Sequence, residues 1–497
     1  MAKFKPYDYN QMIMLPVCLK DQILPGTFEH TVHTLVEEYM DMSVFDARYE
    51  NDETGCYAYN PKILLKIILV GYARGLLSSR KLERACRENV IFIALTCGQT
   101  PDHSTIASFI SSLEKEIVSI FRDILLVCDE QGLLEGTRFA LDGVKLPSNA
   151  SKEMSGTFEE LRQKKQRLEE RVHNLLEAHQ ANDLDEDHER AEAEEKARKL
   201  KQAIAKIERF LAENEPKPGT KRKENKSNVT DNDSHLMKTS HGVIQGYNAQ
   251  AMVDAKHQVI VHADAGHSSQ DDEHLPVMVE GAKQNLEAIG KDPQCLQEAE
   301  LLADANYLSP TNLQKCQEEG LNAYIPDTQF RKREKKNKSQ KSRFSNADFH
   351  YNAQNDTYTC PAGHTMTRSS DIKYKGQNYY RSYVASPEAC ADCPYRFRCL
   401  SKTTAKKRTL FVFYDQELAR YSVEMLQKID SEEGRELLSQ RIGIIEPVFA
   451  NIRVQKGMDR FLLRGKVKVN IQWMLYCLVH NIEKILNYGR DFALVYA

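Results

Sequence analysis

The chain has 497 residues, of which 41% are hydrophobic and 28% charged, with a net charge of −3. That length predicts two to four domains and that balance a soluble globular protein, and no apolar run reaches the ~20 residues a membrane span requires. Twelve cysteines in so long a chain exclude a disulfide scaffold, and the first residues, MAKFKPYDYNQ, lack a signal-peptide core, so the expected location is cytoplasmic.

Residues 30 to 130 carry Leu, Ile, Val and Phe at helical spacing. Pro61-Lys62-Ile63 predicts a helix start, with Leu64, Ile67, Ile68 and Tyr72 on the apolar face and Gly75 closing the pattern. A second helix runs through Leu82, Ala85 and Cys86. A third follows Pro101-Asp102-His103-Ser104, capped by Asp102 or Ser104, and carries Ile106, Phe109, Ile110 and Leu113. Short helices with tight turns suit either a helix-turn-helix-like DNA-binding module or a plain helical bundle. Cys86, Cys128 and Cys477 sit in apolar patterns and read as core.

Thr137 to Asp142 (TRFALD) changes character: a short apolar run closes on an acid, followed by Gly143. This predicts a buried strand with a carboxylate at its C-terminal end. From Phe158 to Leu211 charge is dense. Leu161, Leu168 and Leu175 recur every seven residues with Val172 between them. After Ala181-Asn182-Asp183, the positions Ala197, Leu200, Ile204, Ile207 and Leu211 alternate spacings of three and four. The pattern predicts an antiparallel coiled-coil hairpin inserted before the strands resume. Acid gathers in Asp183 to Glu195, and Lys217 to Lys226 (KPGTKRKENK) is basic.

Val243 to Asp254 and His257 to Asp264 then read as a β-hairpin. A helix carrying Leu275, Val277, Met278 and Ala282 follows, and Glu298 to Asp304 (EAELLAD) is another strand ending in an acid. A helix over 310–320 and a strand over 321–325 complete an α/β sheet with ligand chemistry at one edge. Asp254 and Asp264 read as turns or caps, and His257, His262 and His267 as surface residues.

Residues 327 to 405 are polar, with the basic run Arg331 to Arg343 (RKREKKNKSQKSR) and a set of cysteines. Each basic run is either a phosphate-binding surface or a solvated loop. Cys360, Cys390, Cys393 and Cys399 fit a structural zinc site, closed by four thiols or with His364 replacing one; reduced, unliganded cysteines are the alternative. From Gln416 to Tyr488 the chain is helical. Acids at strand ends are hard oxygen ligands of the kind magnesium takes, spaced in two-metal centres for in-line phosphoryl displacement.

Several blocks resemble bacterial insertion-sequence transposases of the DDE superfamily, in the broad Tn5-related group. They are Tyr59-Asn60-Pro61, Leu141-Asp142-Gly143-Val144-Lys145, Ser148-Asn149-Ala150-Ser151, Gly246-Tyr247-Asn248-Ala249-Gln250, Leu302-Ala303-Asp304-Ala305-Asn306-Tyr307, Ile445-Glu446-Pro447-Val448-Phe449, Arg464-Gly465 and His480-Asn481. The resemblance implies a ribonuclease H-like mixed-sheet core and a catalytic, metal-binding triad of Asp142, Asp304 and Glu446 that holds magnesium or manganese, two ions in all. Glu446 rests on the resemblance alone, with Glu433 and Glu436 as neighbours on the same helix. Lys145, Arg441 and Arg453 are the basic residues this reading sets against DNA.

The implied function is end recognition at terminal inverted repeats, strand cleavage and strand transfer into target DNA. The enzyme would act as a homodimer or higher assembly, nucleoid-associated while acting. A DNA-binding derivative that no longer cuts, or a two-metal nuclease without strand transfer, are the alternatives. The expected organisation is a helical DNA-binding part over 1–130, a catalytic core over 131–155 and 227–326, and an inserted coiled-coil hairpin with basic linker over 156–226. A basic, cysteine-rich insertion over 327–407 and a helical C-terminal part of the core over 408–497 complete it.

Overall fold

The computed structural model describes residues 18–49, 57–181, 187–219, 224–239, 242–266, 268–292, 294–331, 344, 346–352, 354–375, 378–400, 404–413 and 416–490. The basic run after Arg331, the centre of the Lys217–Lys226 stretch, the break at Asn182-Asp183 and His267 lie outside the described residues.

The leading part is helical: α1 (Phe28–Thr34), α2 (Pro61–Ala73), α3 (Ser79–Glu88), α4 (Val90–Leu95), α5 (His103–Ser111) and α6 (Glu116–Glu130). Asn60 caps α2 through its side chain with Pro61 at the first position, and Asp102, not Ser104, caps α5 by accepting from the Ser104 and Thr105 amides. Helix α2 is buried continuously from Ile63 to Tyr72. A helix apolar on every side needs neighbours on every side, and one is distant in sequence: the Tyr72 ring lies 5.0 Å from that of Tyr476.

The main sheet contains β1 (Arg138–Pro147), β2 (His235–Thr239), β3 (Gly242–Asp254), β4 (Ile260–Ala265), β5 (Glu300–Ala303) and β6 (Asn322–Tyr324), in the order β6-β5-β1-β3-β2. Strand β3 pairs antiparallel with β1, with β2 through its first residues and with β4 through its last; β5 runs parallel to β1 and to β6. The expectation that the first strand ends at Asp142 is corrected. The β1–β3 ladder continues through Asp142↔Ala251 to Pro147↔Gly246. The parallel neighbour is what stops, since β5 pairs only as far as Leu141↔Ala303.

Helices α7 (Phe158–Ala181) and α8 (Asp187–Glu213) stand between β1 and β2 in sequence. Phe158 and Leu161 at the start of α7 pack on Ile207 and Phe210 at the end of α8, so the two helices run antiparallel. Lys165 meets Glu208 at 2.6 Å across them. After β4 come α9 (Leu275–Ala288) and α10 (Pro310–Glu318). A second sheet then forms from β7 (His350–Asn352), β8 (Thr357–Thr359), β9 (Thr365–Lys375), β10 (Asn378–Val384) and β11 (Thr409–Phe413), in sequence order. Its own small core is Phe349, Met366, Tyr383, Ala385 and Leu410. Three helices close the chain: α11 (Gln416–Asp430), α12 (Glu432–Ala450) and α13 (Lys466–Tyr488).

Helix α13 binds the outer edge of β4 through its side chains. Asn481 accepts from the Ile260 amide (2.9 Å) and donates to the Ile260 carbonyl (2.8 Å), and Asn470 accepts from the Ala265 amide (3.0 Å). An open strand edge is thereby blocked against pairing with another chain. One buried cluster joins the leading helices, the main sheet and α13. Among the described residues, no helix is long and apolar enough to cross a membrane.

Candidate active site

Where β5 stops and β1 continues, two acids meet. Leu141 is paired with Ala303, so Asp142 and Asp304, one residue further on, are neighbours across the parallel strands. Helix α12 covers them. Arg138 of β1 donates to Gln440, and the next residue, Arg441, turns inward. Its Nη1 lies 2.7 Å from Asp142 Oδ2 and its Nη2 3.8 Å from Asp304 Oδ1, with the Arg441 side chain only 9% exposed. The other Asp142 oxygen accepts from the Gly143 amide at 2.8 Å. Burial pushes the Asp142 carboxyl above its ordinary value; the Arg441 guanidinium opposes that shift, and the Asp304 charge adds to it.

Gly143 serves close approach, not a turn. A Cβ there would stand 2.0 Å from Gln250 Nε2 and 2.9 Å from Asn248 Oδ1, because both β3 side chains fold over the strand at this point. Gln250 is fully buried. Its Oε1 accepts from the Tyr307 hydroxyl, its Nε2 donates to Asp271 at 3.3 Å, and its backbone carbonyl accepts from Trp473 Nε1 at 2.8 Å. Asn248 donates to the same Asp271 oxygen at 2.7 Å, and Lys145 reaches its other oxygen at 3.7 Å. Burial, reinforced by the charges of Asp142, Asp271 and Asp304, drives the Tyr307 phenol well above its usual range, so it stays a hydrogen-bond donor.

Asp271, Gln250 and Tyr307 are site residues that pattern reading left without a role. For Gln250 a signal existed: Asn248 and Gln250 alternate as polar residues within an otherwise apolar buried strand, and buried amides need partners. Asp271 lies in the connection between β4 and α9 and carries no periodic signal.

Glu446 is exposed on α12. Five residues beyond Arg441, it is rotated by about 140° around the helix axis. Among the described residues no three His, Cys, Asp or Glu side chains converge into a metal-holding group. The structure therefore brings Asp142 and Asp304 together and leaves Glu446 apart from them. Pro447 follows it inside the helix and has no amide to give Gly443; that carbonyl accepts instead from Gln258 Nε2 at 3.0 Å. Of the basic candidates, Lys145 faces Asp271, Arg441 faces the carboxylate pair, and Arg453 is exposed in the turn after α12.

The remaining acids and histidines separate. Asp254 is a buried cap, accepting from the Glu135, Gly136 and Lys256 amides. Asp264 is no such cap: its Oδ2 lies 3.9 Å from His274 Nδ1. The surface reading of His262 is corrected, because α9 packs on its ring at Gly281, where a Cβ would meet the ring at 2.2 Å. Burial lowers His262 to about 4. His257 stacks near Tyr488 with ring centroids 4.7 Å apart.

Cys360, Cys390, Cys393 and Cys399 line one small cavity together with His364, Arg396 and Arg408. The Cys360 amide donates to the His364 carbonyl (2.9 Å) and Gly363 donates back to Cys360 (2.8 Å), a tight turn at the first thiol. Burial raises the Cys399 thiol.

Two family models match the chain. Residues 17–112 match a Transposase domain (DUF772), and residues 359–486 match a Transposase DDE domain. The second span includes the four thiols, Arg441 and Glu446, while Asp142 and Asp304 lie between the two spans. Among curated proteins, none matches.

Proposed function

We propose that this insertion-sequence transposase of the DDE superfamily cleaves and joins DNA at a centre made by Asp142, Asp304 and Glu446, acting on the terminal inverted repeats of its element. The single observation that carries the reading is the register-fixed pair Asp142–Asp304 at the point where β5 ends. The core is ribonuclease H-like: three antiparallel strands (β1, β3, β4) followed by two parallel ones (β5, β6) support that assignment. Glu446 as third carboxylate is supported by its place in the span matched by the DDE domain and on the helix that delivers Arg441 to the pair.

The donor set is hard oxygen, which fits magnesium or manganese. Asp142 and Asp304 would hold the ions, with Glu446 joining them. Bound there, divalent ions acidify the attacking water or 3′-hydroxyl and stabilise the leaving oxygen. The chain's own groups position the rest. Tyr307 and Gln250 fix the strand behind Asp142, and exposed Arg453 faces a phosphate backbone. The exposed basic residues Arg80, Lys81 and Arg84 of α3 do the same in the leading helices, which form the DNA-binding part. Two element ends held together call for a homodimer or higher assembly on DNA, with the α7–α8 coiled coil as a bracing or dimerising arm.

Magnesium-dependent nicking of DNA carrying the element ends tests the centre. Asp142→Ala, Asp304→Ala and Glu446→Ala should each lose at least about a thousandfold in rate. Nicking at the wild-type rate by any one of them removes that residue from the centre.

The four thiols that line one cavity would form a structural zinc site in this reading; among the described residues no three of them stand at metal-holding separation, so zinc would have to draw them together, organising a subdomain whose own core is five side chains. Stoichiometric zinc in purified protein, lost in Cys393→Ser, is the expected result. Zinc-free protein with an intact second sheet is the opposing one.

A further inference from the structure

Two carboxylates side by side at a strand end repel each other unless a cation stands between them. Here that cation is Arg441. Its guanidinium reaches Asp142 Oδ2 at 2.7 Å and approaches Asp304 Oδ1 at 3.8 Å, and the side chain is nine-tenths buried, so water does little to screen the contacts. The remaining oxygens are also engaged: Asp142 Oδ1 by the Gly143 amide at 2.8 Å and Asp304 Oδ2 by Asn306 Nδ2 at 3.4 Å.

We infer that Arg441 is the internal counter-ion of the Asp142–Asp304 pair and competes with the divalent ion for the same two oxygens, so that the ion binds only as the guanidinium withdraws. The inference rests on the proposed reading of these acids as metal ligands. An ion held by Asp142 and Asp304 would have to share with the guanidinium the carboxylate oxygens that Arg441 now contacts. A doubly charged ion and a guanidinium sharing these carboxylates repel each other strongly in a partly buried site, where water screens little. Both therefore cannot keep the present arrangement. Arg441 is a positioning residue in this scheme: it holds the carboxylates at fixed separation before the ion arrives and makes ion affinity depend on where its own side chain can go.

The test uses the full-length protein without DNA, so that turnover plays no part. Manganese binding is measured by calorimetry and, independently, through the emission of Trp473, the single tryptophan, which donates to the Gln250 carbonyl behind the site. Arg441→Gln removes the competing charge and should bind manganese at least about tenfold more tightly than wild type. Arg441→Lys keeps the charge and should stay near wild type. Equal or weaker binding by Arg441→Gln, when wild type binds manganese and Asp142→Asn does not, overturns the counter-ion inference and leaves the metal centre standing. Binding by neither wild type nor Arg441→Gln overturns both readings.

Should Arg441→Gln fail to fold, the wild-type protein still decides. The Nε–H resonance of Arg441, assigned by its loss in Arg441→Lys, must move as magnesium is added. A resonance unmoved at saturating magnesium overturns the inference.

Discussion

Replacing Gly143 by alanine tests whether the Asp142 strand is shaped by the side chains folded over it. The new Cβ would stand 2.0 Å from Gln250 Nε2, so the fully buried Gln250 has to move. Moving it takes the acceptor from the buried Tyr307 hydroxyl and the donor from Asp271. A desolvated hydroxyl without a partner costs about 1–3 kcal/mol, and crowding a packed site adds about 1 kcal/mol. Unfolding entropy of about 2.1 cal/mol/K per residue makes each kcal/mol worth roughly 1 °C in a chain of this length. The expected loss is therefore about 2–4 °C in thermal midpoint, read through the emission of Trp473. In a Gln250→Ala background the closer clash partner is gone and only the 2.9 Å approach to Asn248 Oδ1 remains, so the same substitution should cost clearly less than it does in the wild-type background. A Gly143→Ala protein as stable as wild type, or equal penalties in the two backgrounds, would refute the packing argument.

Three further outcomes follow from buried charge and shared core. His480 is buried between Gln258 and Asn451, and burial lowers it from 6.5 to about 3, while His262 is lowered to about 4. The unfolded chain takes up these protons near pH 6.5, so the stability the neutral rings contribute is full above that pH and is lost as pH falls from it toward the folded values. Thermal midpoints measured from pH 7.5 to 5 should decline, and a flat profile counts against neutral buried rings. Lys456, 1% exposed, pairs with Glu483 at 2.5 Å; Lys456→Met should cost about 2 kcal/mol by leaving the partly exposed carboxylate with Asn451 as its donor, and adding Glu483→Leu should restore part of it in the same melting assay. A chain begun at residue 131 loses the helices that cover α2-facing Tyr476 and the rest of α13, and should show no cooperative unfolding by circular dichroism; a cooperative transition would mean that the leading helices fold apart from the sheet.

Periodicity made most of the elements legible. The apolar face Leu64, Ile67, Ile68 and Tyr72 marks α2, the alternation in Val243–Asp254 marks β3, and the sevenfold leucines mark α7. What pattern could not carry was register and partnership. TRFALD looks finished at Asp142 because Gly143 resembles a turn residue, yet a strand ends where its ladder ends, and β3 continues alongside. His262 looked like an edge-strand surface residue because nothing local announces that Gly281, on the next helix, leaves room for its ring. Asp142 and Asp304 could be named as acids after apolar runs, but only the pairing Leu141↔Ala303 makes them neighbours. Arg441 could be named only as a basic residue near Glu446. Its inward direction depends on α12 being anchored to β1 through Arg138 and Gln440, which are 302 residues apart.

The proposed third carboxylate, Glu446, is the hardest to read for a physical reason. Asp142 and Asp304 are set by strand pairing, which leaves their backbones little freedom, whereas Glu446 sits on a helix whose hydrogen bonding is interrupted beside it. Pro447 cannot donate to Gly443, so that turn of α12 depends on Gln258 from another element for one of its carbonyls. Arg441, one turn earlier, binds the carboxylate pair from the same helix. In the proposed reading, withdrawal of Arg441 and approach of Glu446 would be movements of one segment with a weakened turn between them. Exchanging a guanidinium for an ion where β5 ends beside β1 would release the restraint that now holds this face of α12 in place. On that proposal, the acid that sequence pattern identifies least well is the one whose position would be set by that exchange.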